Sequence, residues 1–185
     1  SIRRMAGCTA DSMAAALGLT RISYIKTELS SRMPPEMYQQ ACMYIYLMAK
    51  RRFEFIIRSA DLIFVDDYAH HPAEIEAFLL SLRAMYPGKK LTAIFQPHLY
   101  TRTRDFASGF AKSLSLADEV ILMDIYPARE LPIEGVSSDL IFREITAAKK
   151  IRTTKADLLQ MTRSLDLEIL ATIGAGDIDT FVKPL

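Results

Sequence analysis

The sequence predicts an α/β protein: a mostly parallel sheet with helices on both faces, preceded by a short helical segment. Short uninterrupted apolar runs of strand length recur at 61–66, 91–96, 119–124 and 167–173. Helix-length stretches separate them, as in chains that return each strand to the same edge-to-edge direction. Hydrophobic residues make up 50% of the 185 positions, which is enough for a packed interior.

Residues 1–50 read differently from the rest, rich in methionine and helix formers. Met13-Ala14-Ala15-Ala16-Leu17 reads as helix with Gly18 as its stop, and a second helix is expected over 36–50 after Pro34-Pro35. From residue 51 onward the run Asp61-Leu62-Ile63-Phe64-Val65-Asp66 opens the sheet, and a helix is expected over 72–86, closed by Pro87-Gly88. Leu91-Thr92-Ala93-Ile94-Phe95-Gln96 is the second strand, followed by a helix over 103–116. Glu119-Val120-Ile121-Leu122-Met123-Asp124 is the third, with helices expected near 138–148 and 155–163. The run 167–173 ends at Gly174-Ala175-Gly176-Asp177, read as a tight strand-to-helix turn; with Asp179 in place of a third glycine it is a weak dinucleotide fingerprint.

A formal net charge of +1, from 23 basic and 22 acidic residues, argues against a nucleic-acid surface. Cys8 and Cys42 make neither a zinc motif nor a disulfide framework, and the first residues lack the apolar stretch of a secretory signal. No apolar run approaches the roughly 20 residues of a membrane helix. A soluble, cytoplasmic protein without a membrane partner is expected.

Parallel sheets take ligands at the carboxyl ends of their strands, which draws attention to the segments after 66, 96, 124 and 173. The first is Asp66-Asp67-Tyr68-Ala69-His70-His71-Pro72, where two carboxylates, a phenol and two imidazoles lead into a helix. Its free N–H groups suit an anion. The second is Gln96-Pro97-His98-Leu99-Tyr100-Thr101-Arg102-Thr103-Arg104-Asp105, whose guanidinium forks suit a carboxylate or phosphate. Plainer roles compete: Asp66-Asp67 as a turn cap, and Arg102 or Arg104 in a surface salt bridge with Asp105. Adjacent histidines diverge and lack further ligands at metal spacing, so no metal site is expected.

Taken together with Arg51-Arg52-Phe53-Glu54-Phe55 and Asp124-Ile125-Tyr126-Pro127-Ala128-Arg129-Glu130, these strings resemble the C-terminal domain of the Mur ligase family. Within it, the alanine-adding ligases of peptidoglycan synthesis are the nearest pattern. The resemblance spans about 51–185, and residues 1–50 faintly resemble the end of the family's central ATPase domain. It implies a Rossmann-like domain that closes over ATP and L-alanine while other domains hold UDP-N-acetylmuramate, the phosphate loop and Mg2+. The muramyl carboxylate is activated as an acyl phosphate and attacked by the alanine amine.

The resemblance implies that Asp67 bonds the ribose, Tyr68 lies against adenine and Arg52 approaches the nucleotide. His70 and Arg102 would hold the alanine carboxylate, with His71 and Arg104 beside them. Leu99 stands where some members carry arginine. No catalytic residue is assigned to this segment. No phosphate loop is found in 1–50, so the polypeptide alone is expected to be inactive as a ligase. A muropeptide-recycling ligase domain and a non-catalytic nucleotide-binding module are the alternatives.

Overall fold

The computed structural model describes residues 53–183 and Leu185. The two helices expected within 1–50, and Arg52, lie outside the described residues. Phe53–Leu185 forms one compact unit.

Six strands make one sheet: β1 (Glu54–Arg58), β2 (Ile63–Asp67), β3 (Leu91–Phe95), β4 (Glu119–Met123), β5 (Lys149–Thr153) and β6 (Ile169–Ile173). Their spatial order is β1-β2-β6-β3-β4-β5. β1 runs antiparallel to β2, and every other neighbouring pair is parallel. The helices are α1 (Pro72–Met85), α2 (Tyr100–Leu114), α3 (Asp139–Glu144), α4 (Lys155–Thr162) and α5 (Asp179–Val182).

The four expected strands are β2, β6, β3 and β4, the inner four of the sheet. Each is covered on both faces, so each reads as a continuous apolar run. Phe64, Ile94, Ile121 and Leu170 point to one face, where Leu158 of α4, Ile178 and Val182 cover them. Alternate residues such as Val65, Phe95, Leu122 and Ala171 are fully buried as well. On that second face the Phe95 and Phe110 rings lie 5.3 Å apart, joining β3 to α2, and α1, α2 and α3 pack side by side. Burying each such large side chain contributes about 1.5–3 kcal/mol.

β1 and β5 were not expected. They are the outer strands, largely exposed, and β5 carries Lys149, Lys150 and Arg152. Edge strands need only one covered face and tolerate charge, so a search for apolar runs passes over them. β5 also corrects the helix expected over 138–148: α3 stops at Glu144 because Lys149–Thr153 pairs with β4. α2 begins three residues earlier than expected, at Tyr100, and bends at Phe106, whose φ is −124° and ψ 15°.

Two contacts lock the start of α1 against the C-terminal half of α2. A Cβ on Gly109 would meet Pro72 Cγ at 3.0 Å, so glycine permits the close crossing. The Ser113 hydroxyl donates to the Pro72 carbonyl at 2.9 Å. Among the described residues no helix is long and apolar enough to cross a membrane.

Candidate functional site

The β2–α1 loop is built around Asp67. This residue is fully buried, and its carboxylate accepts the N–H groups of Ala69 at 2.7 Å and Phe53 at 2.8 Å. The turn so formed leaves Tyr68 43% exposed. His70 Nδ1 lies 3.0 Å from the Tyr68 carbonyl, which places a proton on Nδ1 and leaves Nε2 facing other partners. The His70 N–H donates to the Glu74 carboxylate at 3.0 Å, a cap supplied from within α1. His71 is the N-cap residue; its ring meets Phe106 edge-on at 4.9 Å. Pro72 occupies the start of the helix, where a missing N–H costs nothing.

The β3–α2 loop turns on Leu99, whose φ of 73° is unusual for a residue with a Cβ. Such a conformation costs about 1–3 kcal/mol and persists only where neighbours hold it. Here the Leu99 N–H donates to the Tyr126 carbonyl at 2.9 Å, and its carbonyl accepts from Thr103 N–H at 3.1 Å. The first turn of α2 is capped from outside. Glu130, on the loop after β4, accepts the Thr101 N–H at 3.0 Å and the Thr101 hydroxyl at 2.5 Å. Those same bonds hold the Glu130 carboxyl below its ordinary range.

Strand order brings the two loops side by side, since only β6 separates β2 from β3. The His70 and His98 rings are 6.5 Å apart, and Arg102 Nη1 is 3.4 Å from His98 Nδ1. His98 stacks on Tyr126 at 5.7 Å with 19° between the planes. Burial, followed by the nearby charges of Arg102 and His70, holds the His98 imidazole below its ordinary value of 6.5; Glu130 opposes this. Arg102 is half-buried and has no carboxylate partner among the described residues. Arg104 is exposed and pairs with Asp105 at 2.7 Å, so the plain salt-bridge reading describes Arg104 and not Arg102.

A third wall comes from the β6–α5 turn. A Cβ on Gly174 would sit 2.9 Å from the Gln96 carbonyl, and one on Gly176 would sit 2.8 Å from Tyr126 side-chain carbons. Both glycines therefore let backbone press against the site. The buried Gln96 amide donates to Asp177 at 2.8 Å and accepts from Ile178 N–H at 3.0 Å. Asp177 also pairs with Lys155, whose ammonium lies 5.5 Å over the Tyr126 ring.

Of the residues named from sequence, Tyr68, His70 and Arg102 face this rim, His71 borders it, Asp67 braces it from inside, and Arg104 lies outside the cluster. His98, Tyr126, Gln96, Glu130 and Lys155 were missed. His98 and Tyr126 stood in segments the strand-end rule had marked. Lys155 follows an unrecognised strand and carried no signal.

The family model described as Mur ligase, glutamate ligase domain, matches residues 51–177. The chain belongs to this family. A UDP-N-acetylmuramate–L-alanine ligase of Phocaeicola vulgatus is 56% identical over 136 residues, covering 73% of this chain and 30% of the relative. One from Cytophaga hutchinsonii is 52% identical over 136 residues, covering 74% and 29%. The chain thus spans under a third of the length of these relatives. A solved UDP-N-acetylmuramate–alanine ligase of Thermotoga maritima superposes with a TM-score of 0.56 at 22% identity, covering 80% of this chain and 36% of that one. A murein peptide ligase of Psychrobacter arcticus gives 0.55 at 19%, covering 88% and 34%. These two share the fold of the Mur ligase domain.

Proposed function

We propose that this Mur ligase domain serves an ATP-dependent enzyme that joins L-alanine to UDP-N-acetylmuramate. The observation that carries the reading is a half-buried Arg102 with no carboxylate of its own, beside His70 and His98 on one rim. An arginine fork left open on a polar rim is suited to an incoming carboxylate. The relatives at 52–56% identity, which are L-alanine ligases, support L-alanine as the amino acid.

In this reading Arg102 and His70 hold the alanine carboxylate, which leaves the amine free to attack an activated acyl group. Tyr68 offers an exposed ring to adenine. Asp67 holds the loop that carries both Tyr68 and His70. His71 flanks the same recess, and Arg104, engaged with Asp105, contributes at most through its charge. Among the described residues no three His, Cys, Asp or Glu side chains gather as a metal site. In this reading magnesium and the phosphate loop belong to another domain of the ligase. The domain's contribution is to orient the nucleophile, which lowers the entropic part of the barrier.

A chimera tests this: residues 51–185 in place of the matching segment of the Phocaeicola vulgatus ligase. Phosphate release that depends on ATP, UDP-N-acetylmuramate and free L-alanine is expected. Turnover with a tripeptide but not with alanine would favour a muropeptide-recycling ligase. A folded but inactive chimera would favour a non-catalytic module.

A further inference from the structure

We propose that His98 is a positioning residue for Arg102: clamped against Tyr126, its neutral imidazole accepts a hydrogen bond from the guanidinium at Nδ1 and fixes the direction of the arginine fork. This rests on the reading that Arg102 grips the amino-acid carboxylate. A long arginine side chain without a carboxylate partner has many rotamers, and an open fork binds well only if one of them is selected in advance.

His98 is built to make that selection. Its ring stacks on Tyr126, and the backbone on either side is tied to the same residue: Tyr126 N–H donates to the Pro97 carbonyl at 2.8 Å and Leu99 N–H to the Tyr126 carbonyl at 2.9 Å. Tyr126 is immobilised in turn, with Lys155 over its ring and the Gly176 backbone against its side chain. The contact from His98 Nδ1 to Arg102 Nη1 is 3.4 Å. Since a guanidinium only donates, Nδ1 must be unprotonated, and the ring proton resides on Nε2. An imidazolium would present a donor to a donor and release the fork.

The groups facing His98 are Arg102 from α2, His70 from the β2–α1 loop, and Tyr126 and Glu130 from the loop after β4. Burial, then the electrostatic influence of Arg102 and His70, favours the neutral ring, against Glu130.

The test has two arms. In the 185-residue chain, nitrogen NMR of the imidazoles is expected to show His98 protonated on Nε2 near pH 7.5. The Arg102 Nε–H signal is expected to move in His98→Leu and to stay in place in His98→Asn, which keeps an acceptor near the Nδ1 position. A His98 proton on Nδ1, or an Arg102 signal indifferent to His98→Leu, would overturn the proposal. In the chimera, His98→Leu should raise the KM for L-alanine about tenfold, the usual scale for losing a hydrogen bond to a charged group, with the KM for ATP little changed. His98→Asn should stay within about twofold at pH 8 and lose any acid limb due to imidazole protonation. If Arg102→Ala raises the KM for alanine and His98→Leu does not, the positioning role falls. If the spectra hold but neither variant alters the KM for alanine, the functional reading fails while the His98–Arg102 contact stands.

Discussion

The two ends of the sheet differ in one cation: at the carboxyl end Lys155 and Arg152 are paired with carboxylates but Arg102, among the described residues, is not. At the amino end, Arg83 donates to the Leu116 carbonyl at 3.0 Å and pairs with Asp118 at 2.9 Å. Buried Glu119 is met by Lys149 at 2.6 Å and Lys90 at 3.1 Å. The Arg83 hydrogen bond holds the Asp118 carboxyl below its ordinary value. For Glu119 burial is the largest influence and acts upward, yet the two lysines together outweigh it and the net shift is downward. At the carboxyl end, Arg102 has no carboxylate partner among the described residues, and burial pushes the Asp66 carboxyl up. The amino-end charges are paired internally, whereas Arg102 at the carboxyl end is open to the carboxylate proposed above. The proposed binding role and a stability role are thus separable by experiment at opposite ends of the same strands.

The sharpest way to break this contrast is Arg102→Ala in the chimera. We expect the KM for L-alanine to rise about a hundredfold, the scale of losing a charge-assisted two-point contact. An unchanged KM would leave the carboxyl end without its defining feature. Next is Glu119→Ala, expected to lower the unfolding free energy of the chain by about 2 kcal/mol, read by urea titration, because two lysines lose their shared anion. That variant should leave the KM for alanine unaltered.

A smaller effect concerns acid. Asp118 and Glu119 both have folded-state values below their ordinary 3.8 and 4.5, so their stabilisation is present above those values and lost as pH falls through the lower folded ones. Asp66, shifted upward from 3.8, acts with the opposite sign in the same region. Stability measured from pH 6 to 3 should fall, and Glu119→Gln should flatten the fall; an identical slope would deny the amino-end cluster its role. The smallest effect is Arg104→Ala, expected to leave the urea unfolding midpoint almost unmoved, since the pair with Asp105 is exposed. Its KM for alanine should move little, and a rise comparable to that of Arg102→Ala would return Arg104 to the site.

Much of the fold was legible because the inner strands are buried on both faces and leave an unbroken apolar signature. The outer pair, β1 and β5, escaped notice because Glu54, Arg58, Lys149 and Arg152 are compatible with an edge and with a loop alike. For the site, the strand-end rule marked two loops that the structure brings side by side, and the residue types suggested anion chemistry. It did not separate Arg102 from Arg104, two positions apart on one helix, because only the α2 geometry sends one to His98 and the other to Asp105.

Read as a string, the chain determines its alternation of strand and helix and the chemistry of its two loops, since periodicity and residue type are local properties. Strand order is not local. The insertion of β6 between β2 and β3, the crossing of α1 and α2 at Gly109 and Pro72, and the stacking of Tyr126 on His98 each depend on residues far apart in the chain. Those contacts exist only once the core has closed, and they decide which of several eligible side chains share one recess.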